Sequence, residues 1–395
     1  MKHVLFSYHT CPLEEPGTGL AGGMNIFLRG LLPGLARHGI ETDVLTRGKG
    51  DAVEITRPYP GVRLVHIPCG WEEPASREAA YRSLPRFIER AGEVLRATGA
   101  HPGALSAHYW MSGVAAGKAW TRERSPGMLF AFHTVEARKP EPSGHRRDAL
   151  SVARRSAEKR LAREANRVVF LSEHDFAATK EILPDVAGKG VVIPPGVDDS
   201  FRRPPPKEEG RRAFGIPPGA FLFLLAARAE PGKNIPAAVE AFLALRGKGG
   251  RKSLLLVAGQ DPPAGGVPGG VIFTGPVPHA RMPALFSAAD AVLGPSEYES
   301  FGLVPLEAMA SGVPVIVPRA GYWGETVLRE GGGATYPPGS PAGLFGAMAE
   351  VRNDGGARAR MAEEGRRVAA RFTWERCTES WARLLSSAAT RDNRR

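Results

Sequence analysis

The feature that most constrains the fold is the regular alternation of short apolar runs with longer helical stretches. Runs such as HVLFSY, GMLFAF, FLFLLAA and GVPVIV are apolar on both faces, as expected for strands that are buried in a parallel sheet. Stretches such as SREAAYRSLPRFIERAGEVLRA and IPAAVEAFLALRG lie between them and have the pattern of amphipathic helices. This alternation predicts an α/β architecture, with parallel sheets covered by helices on both faces.

The length and a change in composition predict two similar domains. A chain of 395 residues is too long for one ordinary hydrophobic core. The segment 193–219 is rich in proline and charge, and a new series of strands begins after it. We predict a Rossmann-like domain over residues 1–190 and a second over 191–372. Residues 373–395 are predicted to form a helix that packs back on the first domain, followed by a basic tail.

The net charge of +11 indicates an anionic partner, such as a nucleotide, a phosphorylated substrate, a nucleic acid or a membrane surface. Arginine is densest over residues 145–167. A solvated helix face and a basic patch that reaches into a site both fit this stretch. Aromatic residues do not interleave with these arginines, so a base-stacking nucleic-acid platform is not favoured.

The cysteines and the N-terminal segment indicate a cytoplasmic protein. Cys11, Cys69 and Cys377 are far apart and form no C-x-x-C pair, which favours a reducing compartment over a disulfide framework or a zinc site. The apolar run near Met1 is too short for a signal peptide, and no run has the length of a membrane span. We expect no bound metal.

The stretch PGTGLAGGMN contains the G-x-G-x-x-G pattern of dinucleotide-binding turns, and Asp43 lies at about the 20-residue distance of a ribose-binding acid. In that motif the turn follows its strand directly, whereas here a proline-containing loop separates the first strand from Gly17. The dehydrogenase reading is therefore not favoured. Gly22 and Gly23 instead open a helix whose N–H groups could reach a phosphate.

Two cations follow a predicted strand of the second domain. Arg228 ends the strand in LLAARAEPGKN, and Lys233 opens the next helix. Ligands of open α/β sheets bind at the carboxyl ends of strands, and two cations there suit a diphosphate. The segment is not a Walker A loop, because Ala227 and Asn234 replace the required glycine and hydroxyl residue.

The stretch PSEYESFGLVPLEAMASGVPVIV, residues 295–317, predicts a phosphate site at a helix N-terminus. Pro305 is tolerated only in a first turn, so the helix must begin near Leu303. Four residues offer their backbone N–H groups there: Ser300, Phe301, Gly302 and Leu303. Glu307 suits neutral ribose hydroxyls, and Glu299 suits hydroxyls of a sugar. Paired carboxylates also occur in glycosidases, but a glycosidase does not need the diphosphate-binding residues around them.

Two strand ends of the first domain carry candidate site residues. His133 and Thr134 follow GMLFAF, at the edge expected to face a cleft. His108, Tyr109 and Trp110 follow another strand, where core packing and a cleft-lining role are both open.

Taken together, these stretches resemble the retaining glycosyltransferases of GT-B fold that carry the E-x7-E motif, glycosyltransferase family 4. The series HTVEAR, IPPGVD, RAEPGKN, GPVPHARMPALFSAADAVLGPS and SFGLVPL spans nearly the whole chain. Within the family, YHTCPLEEPGTGLAGGMNIFL, HYWMSG and HTVEARK resemble the branch of D-inositol-3-phosphate glycosyltransferases and sucrose-phosphate synthases.

The resemblance implies two domains whose parallel sheets face a central cleft, with a UDP-sugar as donor. The residues implied in donor diphosphate binding are Gly22, Gly23, Arg228, Lys233 and the backbone of Ser300, Phe301, Gly302 and Leu303. Glu307 would hold the ribose, Glu299 would contact the donor sugar, and His133 would lie beside the anomeric carbon. The implied catalytic residues are His133, Glu299, Arg228 and Lys233.

For the acceptor, the resemblance implies binding by Asn25, Tyr109, Thr134 and Arg154, which match the inositol phosphate positions of the branch. The branch has a phosphate-binding lysine where this chain has Tyr81, and we expect the adjacent Arg82 to replace it. The sequence RAGYWGETV also departs from the glycine-rich segment usual in the family, which leaves the donor sugar open.

The sequence thus predicts a retaining hexosyltransferase that uses UDP-N-acetylglucosamine first and UDP-glucose second. The expected acceptor is a small anionic, phosphorylated polyol such as myo-inositol phosphate. We expect no tightly bound cofactor and no nucleic acid partner, and we leave weak membrane-surface contact and a homodimer open. A lipid glycosyltransferase at a membrane surface and a sugar-nucleotide 2-epimerase are the alternative functions.

Overall fold

A computed structural model describes residues 1–70, 76–98, 102–120, 127–139, 148–248 and 252–392. The chain divides into two compact units, one formed by Met1–Gly196 with Trp374–Arg395 and the other by Val197–Thr373. The first change of unit falls six residues after the predicted boundary at 190, because the strand Gly190–Val192 pairs within the first sheet. The second change falls one residue after the predicted 372.

The first unit is built on a sheet that has eight strands among the described residues. They are Lys2–Ser7 (β1), Glu41–Gly48 (β2), Glu54–Tyr59 (β3), Val62–Pro68 (β4), Ala104–His108 (β5), Met128–Ala131 (β6), Arg167–Phe170 (β7) and Gly190–Val192 (β8). Their order is β3-β4-β2-β1-β5-β6-β7-β8, and β3 alone runs antiparallel to its neighbour. The helices are Gly23–Arg37 (α1), Arg77–Ala97 (α2), Trp110–Ala119 (α3), Ala149–Glu164 (α4) and Glu173–Ile182 (α5).

The first sheet is buried on both faces, as its apolar strands predict. Successive side chains of a strand point to opposite faces, and in β1 Phe6 and Leu5 enter two different hydrophobic cores. The edge strand β3 was not predicted, because most of its residues are exposed and it lacks an apolar run.

The second unit has six parallel strands within its described residues. They are Phe221–Ala226 (β9), Ser253–Ala258 (β10), Val271–Phe273 (β11), Ala291–Leu293 (β12), Val315–Pro318 (β13) and Gly333–Tyr336 (β14), in the order β11-β10-β9-β12-β13-β14. The helices are Asp199–Arg202 (α6), Lys207–Ala213 (α7), Ile235–Gly247 (α8), Met282–Ala288 (α9), Leu303–Ala310 (α10), Gly321–Glu330 (α11), Pro341–Asn353 (α12) and Gly355–Ala369 (α13). The predicted two-domain α/β fold with parallel sheets is confirmed.

The last helix, Trp374–Asp392 (α14), belongs to the first unit. It packs on α1, where a Cβ atom at Gly30 would overlap the ring of Trp374 and one at Gly34 would overlap Thr378. Trp381 is fully buried in the core that α1 also enters. The two glycines therefore permit a close helix approach.

Among the described residues, no helix combines the length and the apolar character that crossing a membrane requires.

We predict that Gly30→Ala lowers the free energy of unfolding of the first unit by about 1–3 kcal/mol, because the new methyl group must push Trp374 aside. Gly117→Ala is the matched control, since Gly117 also lies within a helix but a Cβ there meets nothing within 4 Å. That substitution should be neutral or stabilise the unit by up to about 1 kcal/mol through helix propensity. Urea unfolding of both variants tests the close contact, and equal stabilities would contradict it.

Candidate active site

In the second unit, the loops that follow β9 and β12 bring two of the predicted site residues, Lys233 and Glu299, into contact. Lys233 ends a 3-10 turn before α8, and its Nζ donates to Oε1 of Glu299 at 2.5 Å. Arg228 follows β9 and pairs with Glu230 at 2.7 Å. The backbone N–H of Glu297 donates to Gly232 O at 3.1 Å, so the two loops are also joined through the main chain. Glu299 and the two cations thus occupy the carboxyl edge of the sheet.

The helix α10 begins at Leu303, as Pro305 and Gly302 predict. Gly302 precedes the helix with φ 88°, and a Cβ there would lie 3.0 Å from Trp323 Cδ1. Both observations require glycine. Leu303 begins the helix and Pro305 lies in its first turn, so the leading N–H groups have no partner within the helix.

The other two residues of this loop are less open to a ligand than their positions suggested. Phe301 is buried, and its ring stacks on Tyr322 with centroids 5.2 Å apart. Ser300 is buried and shares a hydrogen bond of 3.1 Å with the hydroxyl of Tyr298. The unusual RAGYWGETV segment is thereby explained, since its Tyr322 and Trp323 hold the SFGL turn in place.

Glu307 and Glu299 lie in different environments despite their fixed spacing. Glu299 is in a loop, whereas Glu307 is inside α10 and only 4% exposed. His279 Nε2 lies 3.3 Å from Glu307 Oε1. Burial raises the pKa of the Glu307 carboxyl, and the hydrogen bond with His279 offsets part of this effect. We did not predict a role for His279, although it lies within the quoted GPVPHARMPALF stretch.

In the first unit, two histidines meet because their strands are neighbours. β5 ends at His108, which is in register with Ala131 of β6, and His133 follows two residues later. His108 Nδ1 lies 2.9 Å from His133 Nε2. His133 has a positive φ of 60°, a left-handed conformation that is uncommon for residues other than glycine. His108 stacks on Trp381 of α14, with ring centroids 5.2 Å apart.

Both rings are neutral at physiological pH. Burial lowers the pKa of His133 to about 3 and lowers that of His108 well below its usual value. Burial likewise lowers the pKa of His3, which bonds Ser106 at 2.8 Å, to about 3. Two neutral imidazoles can share only one N–H between them, so the protonation of one ring dictates that of the other. A histidine whose pKa is lowered in this way can donate or accept a hydrogen bond, but its ring carries no charge at pH 7.

Three of the predicted acceptor residues are joined by hydrogen bonds, and two of them line a cavity of about 60 Å³. The guanidinium of Arg154 donates to the hydroxyl of Tyr109 at 3.0 Å and to Oγ1 of Thr134 at 2.8 Å. Tyr109 and Arg154 both line the cavity, and Arg154 is only 4% exposed.

The structure places two other predicted acceptor residues away from this cavity. Arg82 is exposed on α2, and Arg77, the first residue of that helix, lines the cavity instead. Asn25 is fully buried: it accepts from Gly22 N at 3.0 Å and donates to Cys11 O at 2.7 Å. Asn25 therefore ties the glycine loop to the start of α1, where Gly23 is the first helical residue.

Two carboxylates that we did not predict surround Arg154. Glu158 Oε1 accepts from Arg154 Nε at 2.7 Å. Glu136 Oε2 lies 3.1 Å from Arg154 Nη1 and 3.0 Å from Lys139 Nζ, and Glu136 Oε1 accepts from Ser151 Oγ at 2.9 Å. Burial raises the pKa of Glu136, but Arg154 and Lys139 outweigh it and hold that pKa below its usual value. The two cations Arg154 and Lys139 are thus balanced by the two carboxylates of Glu136 and Glu158.

Within the described ranges, no group of three or more His, Cys, Asp or Glu side chains is arranged to hold a metal ion.

Comparison with known proteins defines the class. Residues 21–201 match the family model described as Glycosyltransferase Family 4, and residues 206–368 match that described as Glycosyl transferases group 1. The protein is thus a glycosyltransferase, as the sequence predicted.

Two curated relatives and two solved structures are similar over almost the whole chain. The D-inositol 3-phosphate glycosyltransferase of Xylanimonas cellulosilytica is 30% identical over 98% of this chain and 97% of its own. That of Corynebacterium efficiens is 28% identical over 99% and 96%. Sucrose-phosphate synthase from Thermosynechococcus elongatus has a TM-score of 0.84 and 24% identity over 98% of each chain. Anabaena HepE in complex with UDP and glucose has a TM-score of 0.68 and 18% identity, over 98% of this chain and 100% of HepE. The chain belongs to the glycosyltransferase family that includes the D-inositol 3-phosphate glycosyltransferases.

The buried neutral histidines predict acid sensitivity of the first unit. The unfolded chain takes up protons on His3, His108 and His133 below the ordinary pKa of 6.5, whereas the folded chain does not. Stability is therefore full above pH 6.5 and falls as the pH drops below it, by about 1.4 kcal/mol per pH unit for each such group. Urea unfolding between pH 7.5 and 5 measures this slope.

The variant His3→Asn should reduce the change in the free energy of unfolding with pH by about 1.4 kcal/mol per pH unit, which is the contribution of one histidine. His38→Asn, at an exposed position, is the control for losing a histidine. A slope that is the same in the wild type and His3→Asn would contradict the assignment.

Proposed function

We propose that the protein transfers a hexosyl group from a UDP-sugar, with retention of configuration, to a hydroxyl group of a small phosphorylated polyol. UDP-N-acetylglucosamine is the first candidate donor, UDP-glucose is the second, and myo-inositol phosphate is the first candidate acceptor. The observation that carries the proposal is the group of Lys233, Glu299 and the α10 N-terminus at one sheet edge.

The chemistry of this edge suits a nucleoside diphosphate sugar. Lys233, Arg228 and the free N–H groups that begin α10 supply positive charge and hydrogen-bond donors for a diphosphate. Glu307 is buried and would be repelled by phosphates, so it suits the neutral hydroxyls of a ribose. Anabaena HepE, whose fold is similar, has been solved in complex with UDP and glucose, and we therefore take UDP as the first nucleotide to test.

Retention without an enzyme nucleophile fits the same residues. The acceptor hydroxyl would attack on the face that the diphosphate leaves, and the leaving phosphate oxygen would take the acceptor proton. Lys233 and Arg228 would stabilise the negative charge that develops on the diphosphate. Glu299 would bond sugar hydroxyls, and neutral His133 would exchange a hydrogen bond with the donor sugar. Gly22 and Gly23 would add backbone contacts to the diphosphate.

The cavity in the first unit is the candidate acceptor site. Tyr109, Thr134 and Arg154 form one hydrogen-bonded group, and Arg77 adds a second cation to the lining. The relatives are named for D-inositol 3-phosphate, whose phosphate group suits the two cations of this lining. The comparisons favour neither the lipid glycosyltransferase nor the 2-epimerase.

We expect Lys233→Ala and Glu307→Ala each to lower kcat/KM at least about 100-fold, because each removes a contact to the donor that has no substitute in the site. Lys252→Ala, at an exposed lysine of the same unit, is the matched control and should stay near wild type. Circular dichroism would verify that all three variants are folded. Near-wild-type turnover of either site variant would show that the donor site is misplaced.

A donor-by-acceptor screen that reads UDP release tests the function itself. Inositol phosphates, fructose 6-phosphate and phosphatidylinositol serve as acceptors, and the anomeric proton coupling of the product reports the stereochemistry. We expect release above the acceptor-free rate with an inositol phosphate and an axial anomeric bond, as in the donor. Turnover with phosphatidylinositol alone would replace the proposal by the lipid alternative, and conversion of the donor sugar without acceptor would replace it by the epimerase.

A further inference from the structure

One carboxylate of the cavity lining, that of Glu136, pairs with the guanidinium of Arg154. Arg154 is a buried cation, and burying a charge is unfavourable unless an opposite charge compensates it. Two carboxylates do this, Glu158 on the Nε side and Glu136 on the Nη1 side. With Lys139 also against Glu136, these described ionic groups comprise two cations and two anions.

Glu136 and Glu158 differ in how easily their side chains can move away from Arg154. Glu158 lies within α4 with a side chain only 2% exposed, and its second oxygen accepts from the backbone N–H of Glu136 at 2.9 Å. Glu136 lies on the single 3-10 turn Glu136–Arg138, lines the cavity, and has a side chain 16% exposed. Glu136 can therefore turn away by side-chain rotation, whereas Glu158 is fixed.

The groups that contact the carboxylate of Glu136 are of the chemical types that commonly bind phosphate. Its oxygens contact the guanidinium of Arg154, the ammonium of Lys139 and the hydroxyl of Ser151. Charged nitrogen donors and a hydroxyl group form the strong hydrogen bonds that phosphate oxygens accept. The carboxylate of Glu136 thus stands where an anionic substituent of a bound acceptor would find its donors.

We propose that Glu136 is an internal substitute for the acceptor phosphate, and that the phosphate binds by replacing it on Arg154, Lys139 and Ser151. This rests on the proposed function, in that it takes the cavity to be the acceptor site. A second anion beside Glu136 would be repelled, so the two occupy the subsite in turn. A neutral polyol cannot release Glu136, because it brings no charge to compensate Arg154 and Lys139. Glu136 therefore determines that the acceptor must be anionic, and it also limits how tightly that acceptor binds.

The test is direct binding to the full-length protein, which does not require turnover. Isothermal titration calorimetry would measure the affinities of D-myo-inositol 3-phosphate, inorganic phosphate and neutral myo-inositol for the wild type and Glu136→Gln. The amide keeps the shape and the Ser151 contact but loses the charge. We expect the variant to bind both phosphate probes about tenfold more tightly, the equivalent of losing one competing ion contact. Binding of myo-inositol should change by less than about twofold.

Glu78→Gln is the matched control for net charge. Glu78 also lines the cavity, but among the described residues Arg154 and Lys139 form their ion pairs with Glu136 and Glu158 and not with Glu78. If phosphate affinity rises in this variant as much as in Glu136→Gln, a general change of potential explains the gain and the exchange is refuted. An unchanged or weaker phosphate affinity of Glu136→Gln also refutes it.

Glu136→Ala keeps the proposal testable should Glu136→Gln fold poorly. It removes the competing carboxylate together with its contact to Ser151, so inorganic phosphate should again bind about tenfold more tightly. Unchanged or weaker phosphate binding by a folded Glu136→Ala would contradict the exchange. Tighter phosphate binding by Glu136→Gln together with no transfer to any inositol phosphate would uphold the exchange and refute the proposed acceptor.

Discussion

Both units depend on one geometric constraint, which is that the carboxyl ends of parallel strands lie at the same edge of the sheet. His108 and His133 are 25 positions apart and Lys233 and Glu299 are 66 apart, yet each pair is in hydrogen-bond contact. They meet because β5 lies beside β6 and β9 lies beside β12. The strands themselves contribute apolar side chains to cores on both faces, so the register that aligns the edge is fixed by packing far from any ligand.

In both sites, charged side chains are paired with side chains of opposite charge. Arg154 is paired with Glu136 and Glu158, and Lys233 is paired with Glu299. Each cation in these pairs is compensated before a substrate arrives, as burial or partial burial requires. An anionic substrate that binds to such a site replaces the carboxylates that already pair with the cations. The net free energy of binding is therefore the difference between the free energies of the new contacts and the old ones.

Much of the fold followed from local pattern. The alternation of apolar runs and helices predicts the α/β units, and Pro305 with Gly302 predicts the start of α10 at Leu303. The sequence also predicts which residues follow strand ends, because that depends only on where each strand stops. The edge strand β3 was missed because an exposed strand has no apolar run to reveal it.

The local sequence pattern did not predict where individual side chains point or which groups they contact. Arg77 and Arg82 are both basic and both on α2, and only the packed position of the helix shows which one reaches the cavity. Glu136 meets Arg154 from a different element, and His279 meets Glu307 in the same way. Asn25 was predicted to bind the acceptor, and the structure shows its side chain bonded to Gly22, Thr10 and Cys11 at the glycine loop. Apart from the three-residue spacing between Gly22 and Asn25, such pairings are set by tertiary packing and leave no fixed spacing in the chain.

The position of α14 has a consequence for how the protein is made. The second unit is one continuous segment, Val197–Thr373, and its residues are all present once the ribosome has passed that point. The first unit is begun earlier but receives Cys377, Trp381 and Leu385 of its core only when α14 emerges. Until then α1 exposes the apolar face that α14 covers, and His108 lacks the indole on which it stacks. The unit that is synthesised first is therefore the one that is completed last, and its nascent form offers a hydrophobic surface on which a chaperone could act.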